Sequence, residues 1–185
     1  MKSSMTTPRR PTLTEPLLRC IAQNKRGYDG CELIGHSVRF ELPRESSRVF
    51  DCLRNLGCLT HWWPRALSVQ SLPPGVHGIG DCGLLTLERE TAWFRVMAFV
   101  PARRIVLALV LAHDLLIIDL RVRSGTTHCA VELRIEAPRH RARLTNLWQA
   151  LWLRLLCSRA AARLEAHLLE SSTARSPRAP AAAFN

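Results

Sequence analysis

Apolar and polar residues alternate through the middle of the chain, and the spacing changes to threes and fours in two places. Val38, Phe40 and Leu42 alternate with Ser37, Arg39 and Glu41, the period of a half-buried strand that begins near Leu33 and is ended by Pro43. Glu45 to Leu56 carries Val49, Phe50, Leu53 and Leu56 at helical spacing, with Gly57 as a stop. Cys58 to Ala66, which includes His61, Trp62, Trp63 and Pro64, predicts a second short helix or turn. Strands are predicted at Leu67 to Leu72, Ile79 to Arg89, Ala92 to Val100, Arg104 to Leu111, Leu115 to Arg123 and Thr127 to Glu136. Pro73-Pro74-Gly75, Pro101 and Ser124-Gly125 punctuate them. Connections this short make neighbouring strands antiparallel.

The second helical stretch, Arg139 to about Glu170, is much longer. Leu144, Leu147, Trp148, Leu151, Trp152, Leu155 and Leu156 recur along one side of it, while Arg141, Arg143, Arg154, Arg159 and Arg163 fall largely elsewhere. At about 1.5 Å per residue such a helix is roughly 45 Å long, and the strands are the natural wrapper for its apolar stripe. The expected fold class is α+β: a curved antiparallel sheet of about seven strands around a long C-terminal helix, with two short helices after strand one.

Length and composition set the frame. The chain of 185 residues, 47% hydrophobic and 22% charged, suits one globular domain of common size with two tails. Residues 1–31, in which Glu15 to Asn24 is a possible short helix, form an expected N-terminal arm. Residues 32–170 form the domain, and the Ser/Ala/Pro/Arg-rich 171–185 an expected disordered tail. Seven cysteines leave at least one unpaired and show no C-x-x-C arrangement, so free thiols in a reducing, cytoplasmic setting are expected. The most apolar run, Ile105 to Leu120, is broken by His113 and Asp114 and reads as two strands and a turn. His36, His77, His113, His128, His140 and His167 have no metal-ligand spacing, and no P-loop, dinucleotide fingerprint or G-x-S-x-G is present. No metal and no cofactor are expected. The formal net charge of +11 makes nucleic acid or an acidic membrane a conceivable partner, although the arginines never form a dense run.

Residues at the joints of this order carry a resemblance. Leu42-Pro43 followed by Arg44 through Phe50, the His61-Trp62-Trp63-Pro64 segment, Gly78-Ile79-Gly80, Val100-Pro101-Ala102-Arg103 and Gly125-Thr126-Thr127 together resemble the superfamily of START, polyketide cyclase and birch-pollen-allergen-like (Bet v 1-like) proteins, often called SRPBCC. The likeness covers about Leu33 to Glu170. It implies a helix-grip fold with an apolar cavity between sheet and helix. It implies no single chemistry, because members include lipid carriers, aromatic polyketide cyclases, hormone receptors and chaperone cofactors.

Alternation assigns Phe40, Leu85, Phe94, Ile118 and Leu133 to the inward face, with scarcely an ionisable group beside them. General acid–base catalysis needs such a group aimed at the substrate, so binding of an apolar or amphipathic small molecule is the expected function. The candidate ligand-binding residues are these five with His61, Trp62 and Trp63 at a cavity mouth and Trp148, Leu151, Trp152 and Leu155 on the long helix. For the tryptophans, space-filling as core is the favoured reading. No catalytic residue is assigned. A cyclase or dehydratase using His61 or Arg95 is the alternative, weakened by the lone tyrosine, Tyr28, lying in the arm. Arg95 on an outer face would bring Trp93, Met97 and Phe99 out beside it, an apolar patch suited to a homodimer or protein partner through strands four and five.

Overall fold

A computed structural model describes residues 32–72, 78–112, 114–125, 128–139 and 143–173. The expected N-terminal arm with its possible helix, residues 174–185 of the tail, and His77, His113 and His140 lie outside the described residues. Strand β1 is Leu33–Leu42, followed by helix α1 (Ser46–Leu53), a 3-10 turn at Leu56–Cys58 and the short helix α2 (Leu59–Trp62). Six strands come next, β2 (Ala66–Leu72), β3 (Cys82–Leu87), β4 (Thr91–Val100), β5 (Arg104–Val110), β6 (Leu115–Ser124) and β7 (Cys129–Pro138), and then helix α3 (Arg143–Thr173).

The fold is the α+β helix-grip: a curved seven-stranded antiparallel sheet in the order β1-β7-β6-β5-β4-β3-β2, with a long C-terminal helix. Strands β2 to β7 form a meander. The two short helices carry the chain from β1 at one edge to β2 at the other, which allows β1 to pair with β7. Strands β5 and β6 sit in the middle and are buried on both faces, as their nearly unbroken aliphatic sequence requires. At Gly83 the close approach is local and steric: a Cβ there would fall 2.4 Å from the Gln70 carbonyl oxygen and 2.5 Å from the Phe94 ring, so only glycine lets that ring lie over β3.

Several details differ from the sequence reading. Ile79 and Gly80 belong to a turn, with Gly80 at φ +92°, so β3 begins only at Cys82. Strand β7 extends to Pro138, and Arg139 precedes α3 rather than opening it. A register shift between Val96 and Ala98 inserts Met97 as a bulge in β4. The extra residue reverses the faces taken by the residues after it. Phe99 is therefore turned inward against Phe50, with ring centroids 5.4 Å apart, instead of outward beside Trp93.

Candidate functional site

The inward face of the sheet holds the predicted residues together. Leu85 and Leu133 are 0% exposed, Ile118 1%, Phe94 2% and Phe40 9%. Among the described strand residues, none that points this way is a carboxylate, lysine or arginine, because the register pairs each inward aliphatic with another, as in Leu107 with Ile118 and Leu120 with Leu133. A chamber roomy enough for a ligand is roomy enough for water, and its walls would keep accessible surface. These walls keep almost none: Leu107, Leu109 and Leu116 are each 1% exposed, as near to sealed as Leu85 and Leu133. Around these described residues the interior is close-packed.

Trp62 and Trp63 contribute to that closure. They are 2% and 3% exposed, set edge to face with centroids 5.9 Å apart, and they fill the gap between α2 and the sheet. His61 points the other way, exposed, and stacks on His167 of α3 at 4.7 Å and 9° between planes.

Helix α3 departs furthest from expectation. Its inward side is Asn146, Leu153, Cys157, Ala160, Ala161, Leu164 and Leu168, all buried. Gln149 Nε2 donates to the Pro138 carbonyl at 2.9 Å, Cys157 Sγ donates to the His36 carbonyl at 3.4 Å, and Arg44 Nη2 donates to the Leu169 carbonyl at 3.2 Å. These bonds fix the rotation of the helix on β1 and β7. The stripe expected to face the sheet is turned to the outside: Leu144 is 75% exposed, Leu147 68%, Trp148 73%, Leu151 48%, Trp152 43% and Leu155 50%. Of the predicted stripe only Leu156 packs partly against the core. Trp148, Leu151, Trp152 and Leu155 are thus one continuous surface, separate from Phe40, Leu85, Phe94, Ile118 and Leu133. The reason is steric. Thiol and alanine side chains at Cys157, Ala160 and Ala161 let the helix lie close on β1, where leucines and tryptophans would hold it off.

The outer face of the sheet is also unlike the expected patch. Arg95 is exposed there, but Trp93 and Met97 are half-buried and close over Val106, Ala108, Val110, Leu115 and Ile117 as a second small core. Beside it Asp119, 4% exposed, accepts paired hydrogen bonds from Arg104 (2.9 and 2.8 Å) and Arg121 (3.1 and 2.8 Å). Burial alone would raise its carboxyl, but the two guanidinium groups outweigh that and hold it below the usual carboxylate range. An open cleft of about 610 Å³ adjoins this cluster, lined by Val100, Val122 and the arginines Arg103, Arg104, Arg121 and Arg123. It is a charged cleft, at a different place from the apolar inward face.

One cluster escaped the sequence reading. Cys52 on α1, Cys58 at the end of the 3-10 turn and His167 on α3 bring their Sγ, Sγ and Nε2 atoms within 4.8 Å of one another. Hydrogen bonding with Cys52, and then burial, push the Cys58 thiol well above the ordinary range. The local signal available was Cys58-x-x-His61. His167 lies more than a hundred residues away and is invisible to spacing.

No family model matches the chain, and no curated protein does. Solved structures do, at low identity. The chain is similar to an aromatase/cyclase, Zhui, from Streptomyces sp. R1128 (12% identity, TM-score 0.60, covering 80% of this chain and 99% of that one). It is also similar to a norcoclaurine synthase point mutant from Thalictrum flavum (11%, TM-score 0.59, 77% and 98%) and to Ara h 8.0201 (10%, TM-score 0.57, 75% and 99%). At such identities the likeness establishes the fold alone.

Proposed function

We propose, for a chain with the SRPBCC or Bet v 1-like helix-grip fold, that its function is to bind lipid or another apolar or amphipathic molecule, and that the outward side of α3 is where it meets the lipid phase. The observation that carries this reading is the run of exposed Leu144, Leu147, Trp148, Leu151, Trp152 and Leu155. Leucines can enter the acyl boundary of a bilayer, and tryptophan suits the interface because its ring is apolar and its N–H is polar. The charge around the stripe favours acidic lipid. No Asp or Glu occurs from Ala137 to Leu164, and on α3 itself Arg154, Arg159 and Arg163 are exposed. No described helix is long and apolar enough to cross a membrane, so the contact is that of a helix lying on a surface.

A second reading, sequestration of the molecule inside the grip, is supported by the charge-free inward face. It requires the close-packed interior to open. The first half of α3, which presents Asn146 and Gln149 inward, has the least apolar contact to give up. The cyclase alternative draws no support from its named residues, since His61 and Arg95 both lie on the outside.

Co-sedimentation with vesicles tests the leading reading. Binding to vesicles containing anionic lipid, weaker binding to neutral ones, and a loss of about tenfold or more in Trp148→Ser/Trp152→Ser are expected, since each buried aromatic contributes on the order of 1.5–3 kcal/mol. High salt should weaken the interaction. Failure to bind anionic vesicles, or unchanged binding by the double variant, would overturn it. Nucleic-acid binding indifferent to the two tryptophans would point to a basic interaction module instead.

A further inference from the structure

Two neighbouring segments, α1 and the 3-10 turn, meet the far end of α3, more than a hundred residues on. Cys52 ends the apolar face of α1, where Phe50 and Leu53 are buried; Cys58 closes the 3-10 turn held by buried Leu56 and Leu59; His167 belongs to the α3 turn anchored by buried Leu164 and Leu168. Each donor therefore stands on a backbone already fixed by packing. The three side chains are half-buried, neither sealed in the core nor loose in solvent.

The spacing of the donors is that of a coordination sphere. A tetrahedral zinc ion with Zn–S of about 2.3 Å and Zn–N of about 2.0 Å sets a sulfur and a nitrogen ligand about 3.5 Å apart, and two sulfurs about 3.8 Å apart. The Cys52 Sγ to His167 Nε2 distance is 3.7 Å, and all three donor atoms lie within 4.8 Å of one another. Two sulfurs and one imidazole nitrogen form a soft donor set, which selects zinc over magnesium or calcium.

We propose that Cys52, Cys58 and His167 form a three-ligand site for zinc(II), with the fourth position left to water or an added ligand. Bound there, the ion ties α1, the 3-10 turn and the second half of α3 into one clasp. His61, stacked on the His167 ring, holds that ring in orientation and lies outside the coordination sphere. The site is separate from the Leu/Trp surface and does not depend on it.

Full-length protein titrated with zinc chloride, followed by dialysis and elemental analysis, should retain one zinc per chain, with a melting temperature that rises on loading. Cobalt(II) in its place should give thiolate charge-transfer absorption and tetrahedral visible bands. Cys52→Ser, Cys58→Ser and His167→Ala should each lower affinity by about 100-fold or more, whereas Cys82→Ser should keep the stoichiometry. Circular dichroism of the serine variants checks that they still fold. Absence of stoichiometric zinc, a cobalt spectrum without sulfur charge transfer, or retention of zinc by folded Cys52→Ser or Cys58→Ser would overturn the assignment.

Discussion

The two halves of α3 share one axis and distribute their oily residues in opposite ways. From Leu144 to Leu155 the outward side is mostly leucine and tryptophan, and the inward side is Asn146, Gln149 and Leu153. From Cys157 to Leu168 the inward side is Cys157, Ala160, Ala161, Leu164 and Leu168, and the outward side is Ser158, Arg159, Ala162, Arg163 and Ala166. The second half is an ordinary amphipathic helix on a sheet. In the first half Leu153 is the one fully buried apolar anchor, most of the apolar side chains face outward, and the packed continuation of the helix supplies most of the hold. The difference separates two jobs along a single element, one half holding the fold and the other presenting a surface.

Truncating the two halves should therefore cost very different amounts. Leu164→Ala removes a fully buried side chain and should destabilise by about 3 kcal/mol, whereas Leu151→Ala, on the open side, should stay within about 0.5 kcal/mol in the same denaturant titration. Equal costs would mean that the halves do not differ. Gln149→Ala, which deletes the bond to the Pro138 carbonyl, should cost about 1 kcal/mol, because this polar tie stands beside a single packed leucine, Leu153, in the first half. Acid should act elsewhere. Asp119 has its carboxyl held low in the folded protein, so the contribution is present above the unfolded value of about pH 3.9 and is lost as pH falls through the folded value. Denaturation at pH 6 and pH 3 should show that loss in the native protein and a smaller one in Asp119→Asn.

The same comparison explains what could be read from the sequence. Strand alternation located the sheet because each strand has one apolar face, and inward positions such as Ile118 and Leu133 need no tertiary information to be assigned. Periodicity also located α3 and its Leu/Trp stripe. It could not say which side of the helix faces inward, because a second stripe, Leu153, Cys157, Ala160, Ala161, Leu164 and Leu168, runs at the same spacing, and its small central residues carry less hydropathy than tryptophan yet fit a close approach to β1 better. The bulge at Met97 left no trace in the alternation and turned Phe99 to the opposite face. The Cys52, Cys58 and His167 cluster depends on a juxtaposition of α1 and α3 that only the folded chain makes.

Hydrogen exchange measured with and without anionic vesicles tests the division of α3 most directly. Protection should increase across residues 144–155 when vesicles are added and stay unchanged across 157–168. Unchanged exchange in the first half, or new protection confined to the second, would contradict the assignment of the Leu/Trp side as the lipid-facing surface.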